Sequence, residues 1–157
     1  MVDEPALLTK AGYDRLVEEL HTLKTVRRAE VAALIREAQE LGPDQLDAQY
    51  EDAKNQQAFL EGRIAEIERT LENAAIIDEK AAQKSKTVQV GSNVTVKGQD
   101  GKSRKYQVVG PTEADPTQGR ISHKSPVGRA LIGKKRGETV KIQTPRGETE
   151  FTVTSVS

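Results

Sequence analysis

The stretch YEDAKNQQAFLEGRIAEIERTLENA, Tyr50 to Ala74, decides the fold of this chain. Tyr50, Ala53, Gln57, Leu60, Ile64, Ile67, Leu71 and Ala74 follow one another at alternating steps of three and four without a slip. That is a seam of apolar character on a helix otherwise covered in charge. A single helix cannot bury such a seam alone, so a partner of matching length is required. Upstream, Tyr13, Leu16, Leu20, Leu23, Arg27, Val31, Leu34, Ala38 and Leu41 make a second stripe. Thr9 can cap its start by accepting a bond from a free N–H of the first turn. Arg27 interrupts this stripe with two successive steps of four, a stutter that predicts a local change of supercoil. Gly42 and Pro43 then end the helix, because glycine accepts the left-handed cap and proline cannot continue the ladder.

Two stripes joined by so short a turn predict an antiparallel coiled-coil hairpin. With about 28–33 residues per arm the rod would be roughly 40–50 Å long. A dimerising coiled coil is the competing reading. Against it, the two stripes match in length and can bury each other within one chain.

After Asp78 the pattern changes. EKAAQKSKTVQ is small and polar and reads as a linker. The period then drops to two. VGSNVTVKG and RKYQVVG flank QDGK, whose Asp100-Gly101 pair favours a type I′ hairpin turn. GETVKIQT and ETEFTVTSV flank Pro145–Gly147, and Arg120–Ser122 is a shorter strand. SPVGRALIG opens with a capping Ser125 and with Pro126 at the first helical position, predicting one or two helical turns. The expected class is α+β: a coiled-coil hairpin over 1–78 with an acidic tip at 42–47, a linker over 79–88, and a small antiparallel sheet domain with one short helix over 89–157.

The totals agree with a thin helical element and a small sheet rather than one thick core. Of 157 residues, 31% are charged and 3% aromatic. The formal net charge is zero, but residues 1–80 carry 10 Lys and Arg against 18 Asp and Glu, and residues 81–157 carry 14 against 6. An acidic half and a basic half suit a protein that touches two different surfaces, or two halves that attract each other. There is no cysteine, which excludes disulfides and thiolate zinc sites. MVDEPALLTK lacks the basic start and apolar run of a signal peptide, and no apolar run spans a membrane, so a cytoplasmic location is expected.

Motifs for catalysis within the chain fail. GRALIGKK, Gly128 to Lys135, departs from the phosphate-binding loop at its last position, where Lys135 stands in place of a hydroxyl. His21 and His123 fall in different halves and form no shared site. The tip holds Asp44 and Asp47, three residues apart and facing nearly the same way at a helix start. They can cap that helix and meet its positive end, each worth roughly 0.5–1 kcal/mol. Alternatively, carboxylates at the end of a narrow rod can be delivered into a deep pore, and their hard oxygens help to hold Mg²⁺.

Along its whole length the chain resembles the Gre family (GreA/GreB) of bacterial transcript-cleavage factors. The resemblance runs through LTKAGYDRLVEELHTLKTVRRAEV, AQYEDAKNQQAFLEGRIAEIE, NAAIID, EAD, SPVGRALIGKKRGETV and TPRGETEF, in that order. It implies an N-terminal coiled-coil hairpin and an FKBP-like C-terminal domain that docks on RNA polymerase at the mouth of its secondary channel. The hairpin would pass down the channel, where tip acids and the polymerase's own aspartates share Mg²⁺ and cleave backtracked RNA near its 3′ end. The chain itself would be no enzyme, but a monomeric accessory factor with no stably bound cofactor, acting at DNA-bound polymerase and on nascent RNA. Carried over by position, Asp44 and Asp47 are the tip acids, Lys54 contacts RNA phosphates, and Ser125, Pro126 and Val127 dock on the polymerase. Lys54 also reads as an ordinary surface lysine, and Pro126 and Val127 as helix entry and core packing.

The family's tip usually reads G-D-L-x-E-N-A-E-Y. Here Pro43 and Leu46 occupy the usual acidic positions and both acids come one residue later, a turn of about 100° on a helix. A channel-binding regulator that inhibits polymerase is therefore the alternative expectation, and a nucleic-acid-binding module using the basic half is a third.

Overall fold

The computed structural model describes residues 4–41 and 43–157, the side chains of 43–47 excepted. It divides into two compact units, residues 13–73 and residues 1–12 with 74–157.

The first unit is the helical hairpin. Its first arm runs through α1 (Lys10–Thr22), a π-helical turn (Leu23–Arg27) and α2 (Arg28–Gln39). Its second arm is α3 (Pro43–Glu72), 30 residues and so ~45 Å long. The seam of the second arm lies where its spacing predicts: Ala53, Leu60, Ile64 and Ile67 are buried. Val31, Leu60 and Ile64 form the centre, with Leu20, Leu23 and Ile35 packed around them. The stutter at Arg27 is the π turn itself. One extra residue in a turn absorbs the double step of four and returns Val31 to the seam. Arg27 stays half-buried there and donates from Nη2 to Gln56 Oε1 at 2.9 Å across the hairpin. After that turn the stripe takes Ile35 rather than Leu34, which is 37% exposed. Charged pairs flank the seam: Lys24 with Glu68 at 2.7 Å, Arg28 with Glu61 at 2.8 Å, Arg63 with Glu19 at 2.8 Å. All are about half exposed, so they set register more than stability.

The second unit is built on a five-stranded sheet in the order β5-β4-β3-β7-β6. Its strands are β3 (Asn93–Gly98), β4 (Ser103–Val109), β5 (Arg120–Ser122), β6 (Thr139–Thr144) and β7 (Gly147–Val156). Alternation puts Val94, Val96, Val108, Ile121, Val140, Ile142 and Val153 on one face, where they are buried with Val88, Leu131 and Phe151. Each fully buried aliphatic contributes ~1.5–3 kcal/mol of transfer free energy. A register shift at Thr95/Val96 places an extra residue in β7, and Thr154 Oγ1 bonds back to the Thr95 carbonyl at 3.1 Å. Such a bulge bends the strand and deepens the twist of the sheet.

Four details differ from the sequence reading. β5 pairs parallel, not antiparallel, with β4, because the connection from Gly110 crosses over through two 3₁₀ turns, Pro111–Glu113 and Pro116–Gln118. The β3–β4 turn is not type I′: among the described residues only glycines have positive φ, and within this turn that is Gly101 alone, at φ 78°. Gly101 N–H bonds the Gly98 carbonyl and Gly98 N–H the Lys102 carbonyl, closing a three-residue connection in which the left-handed glycine comes last. Residues 79–88, expected as a linker, contain α4 (Glu79–Lys84), capped by Asp78 and burying Ala82; Val88 enters the sheet core. The boundary at 78 also moves. β1 (Ala6–Leu8) pairs in parallel with β2 (Ala74–Ile76), so both ends of the hairpin segment belong to the sheet unit.

Candidate functional site

The hairpin turn carries the candidate acids Asp44 and Asp47. Gly42 and the side chains of Pro43, Asp44, Leu46 and Asp47 lie outside the described residues, so the aim of the two acids does. Among the described residues no group of three histidines, cysteines or carboxylates can hold a metal ion. Just inside the turn, Leu34, Glu37, Ala48, Gln49, Asp52, Ala53 and Gln56 line a concavity of about 310 Å³ between α2 and α3. Leu34 is left at its rim by the shift of the seam to Ile35. Lys54 stands exposed on α3, the residue after the buried Ala53, with Nζ donating to Gln57 Oε1 at 2.9 Å. Among the described residues it enters no ion pair.

The second group of residues sits at the entry of α5 (Pro126–Leu131). Ser125 Oγ accepts from Gly128 N–H at 3.1 Å and donates to the Ser122 carbonyl at 2.7 Å, so the hydroxyl is engaged in the cap. Pro126 occupies the first turn and is exposed, whereas Val127 packs half-buried against the sheet core. Of the three, Pro126 offers the free surface. Gly128 is a position that the sequence reading passed over. A Cβ there would collide with the Ser122 carbonyl, so this close approach is open only to glycine. Ile132 follows, 37% exposed. Helix α5 has six residues and ends before Gly133, which is left-handed at φ 82°, so GRALIGKK lacks the long helix a phosphate loop needs.

Glu113, in the EAD segment, has a role no spacing predicts. Its carboxylate accepts from Thr9 N–H and from Thr9 Oγ1, each at 2.6 Å, while Thr9 Oγ1 accepts from Gly12 N–H at 3.0 Å. Thr9 is the helix cap expected from sequence, and a carboxylate 104 residues away holds it. In the same segment Asp115 accepts from Thr117 N–H and hydroxyl, which hold its carboxyl below the usual range. His21 lies on α1 in the hairpin unit and His123 after β5 in the sheet unit, which keeps the two apart.

The chain thus joins a helical hairpin to a sheet unit that carries a short, Pro-entered helix. Two family models cover the chain: "Transcription elongation factor, N-terminal" over residues 6–76 and "Transcription elongation factor, GreA/GreB, C-term" over residues 82–157. The transcription elongation factor GreA of Roseiflexus sp. (strain RS-1) is 46% identical, covering 99% of each chain. GreA of Caldanaerobacter subterraneus subsp. tengcongensis is 45% identical over 93% of each. The solved GreA factor homolog 1 (Gfh1) of Thermus thermophilus is 34% identical, covering 98% of this chain and 99% of that one, with a TM-score of 0.45. The chain belongs to the GreA/GreB family of transcription elongation factors. No helix among the described residues is long and apolar enough to cross a membrane.

Proposed function

We propose that this chain binds RNA polymerase through its secondary channel and stimulates cleavage of backtracked RNA by the polymerase active site. Family membership along nearly the full length is the observation that carries this reading. The two-arm hairpin, ~45 Å from end to end, suits delivery of a turn into a deep and narrow space. The chain would contribute no catalytic machinery of its own. Two carboxylates are too few for Mg²⁺, which takes six oxygen ligands, so Asp44 and Asp47 would complete a site that polymerase aspartates begin. The metal would supply charge stabilisation and a reactive water there. Lys54 would meet RNA phosphates, and the loop at Ser125, Pro126 and Val127 would dock on the polymerase.

A second reading rests on one observation, Pro43 and Leu46 at the family's usual acidic positions. In that reading the chain occupies the channel and inhibits. One experiment separates the two. The purified chain is added to a stalled, backtracked elongation complex with Mg²⁺. Shortened RNA is the expected result; slowed synthesis with intact RNA would establish the inhibitor instead. Loss of neither RNA length nor rate, at concentrations where a pull-down detects binding, would sink both.

A further inference from the structure

The sheet unit has a second face, opposite its core, and that face is concave. Asn93 pairs with Gln107, and Gln107 with Arg120; Thr95 pairs with Lys105 and with Ser155. Residues paired in register project to the same side. Two polar rows therefore cross the sheet behind the buried Val94, Val96, Val108 and Ile121. These rows and the Gln118–Gly119 turn line a cleft of about 750 Å³. That volume lies in the range of small-ligand sites.

Two cations border it, Arg120 and Lys105. Arg120 Nε is buried and makes no hydrogen bond, singular among the described buried side-chain nitrogens and oxygens. Lys105 is exposed and enters no ion pair among the described residues. Of the neighbouring acids, Asp115 accepts at Oδ1 from Thr117 and also interacts electrostatically with Arg120, while Glu79 Oε2 accepts from Gln107 Nε2 at 3.1 Å. The backbone holds Arg120 firmly. Gln107 N–H bonds the Gly119 carbonyl at 2.8 Å, and Gly119 is left-handed at φ 74°. A Cβ on Gly119 would come within 2.8 Å of the Lys105 carbonyl, so that turn closes on β4 only as glycine. A guanidinium N–H buried without an acceptor is costly unless a ligand supplies one. A planar guanidinium beside an ammonium matches the oxygens of phosphate.

We propose that this cleft binds a phosphate group, with Arg120 and Lys105 as its cationic ligands and the hydroxyls of Thr95 and Ser155 beside them. The phosphate is either a nucleic-acid phosphodiester or that of a free nucleotide. The site is independent of the polymerase reading. It is tested by amide chemical shifts of the full chain, titrated separately with inorganic pyrophosphate and with a single-stranded RNA of about eight nucleotides. Saturable shifts at Thr95, Lys105, Gln107, Gly119 and Arg120 are expected. Arg120→Gln should weaken binding about tenfold. Lys105→Gln, on the exposed side of the strand, should weaken it several-fold at unchanged melting temperature, and carries the test if Arg120→Gln unfolds. Tighter binding of the RNA assigns the phosphodiester; tighter binding of pyrophosphate assigns the free nucleotide. No saturable shift with either probe overturns the proposal, as do shifts whose affinity Lys105→Gln and Arg120→Gln leave unchanged.

Discussion

Gly128 and Glu113 show what a single residue can do that its neighbours in sequence do not announce. Gly128→Ala would drive a methyl into the Ser122 carbonyl. It should lose ~1–3 kcal/mol in urea denaturation, the usual cost of overpacking. Wild-type stability would mean that the loop yields at little cost. Glu113 was legible only as part of a family resemblance; its hold on Thr9 spans 104 residues, and no local pattern encodes so distant a partner. The tip acids are the reverse case. Their identity is plain in the sequence and their aim is not. Asp44→Asn and Asp47→Asn should each lower RNA cleavage strongly while stability stays within ~0.5 kcal/mol, since Asn caps a helix about as well as Asp. Added Mg²⁺ should restore part of the activity by mass action. Cleavage by both variants at the parent rate would remove the metal role and leave the cap. Pro126→Ala tests docking in the same way: binding in a pull-down should weaken while the fold persists, and unchanged binding would clear that loop.

At the scale of an element, the hairpin seam was readable because every buried position repeats at three or four. The second arm followed its pattern throughout. The first arm lost its register at Arg27, where the π turn absorbs a residue and hands the seam from Leu34 to Ile35. A stutter marks where the helix must adjust, but the neighbouring arm decides which side chain benefits. Leu60→Ala should cost ~2–5 kcal/mol, toward the low end in so thin an element. Leu34→Ala should cost under ~1 kcal/mol, as an exposed site does. Chemical denaturation of both variants checks the assignment, and equal losses would put Leu34 back in the seam. Strands β1 and β2 are the opposite lesson. Each has three residues, too short for any period, and their partners lie 68 positions apart.

The whole molecule carries carboxylates held low in both units. Asp115 is lowered by its Thr117 hydrogen bonds, Asp100 by the Lys102 N–H, and Glu61 by its bond to Arg28. A depressed folded-state value means that the unfolded chain takes up protons first. The stabilisation is complete above the ordinary values of 3.8 for Asp and 4.5 for Glu, and is lost as pH falls through the lowered ones. Melting temperature should be nearly flat from neutral pH to about 5, then fall. Asp115→Asn should soften that acid limb, and an identical limb in the variant would show that Asp115 contributes nothing to it.

By itself the sequence determined the hairpin, the α+β class, the five main strands, the caps at Thr9 and Ser125, and the family. All of these rest on local periods, on turn chemistry or on residue identity. Only the tertiary structure decided that residues 4–12 belong with the sheet, that 79–88 fold as helix and core, that β5 runs parallel, and that Arg120 Nε is buried without a hydrogen bond. Those features depend on contacts between segments far apart in the chain, where pairing is settled by what the rest of the fold leaves free to bond.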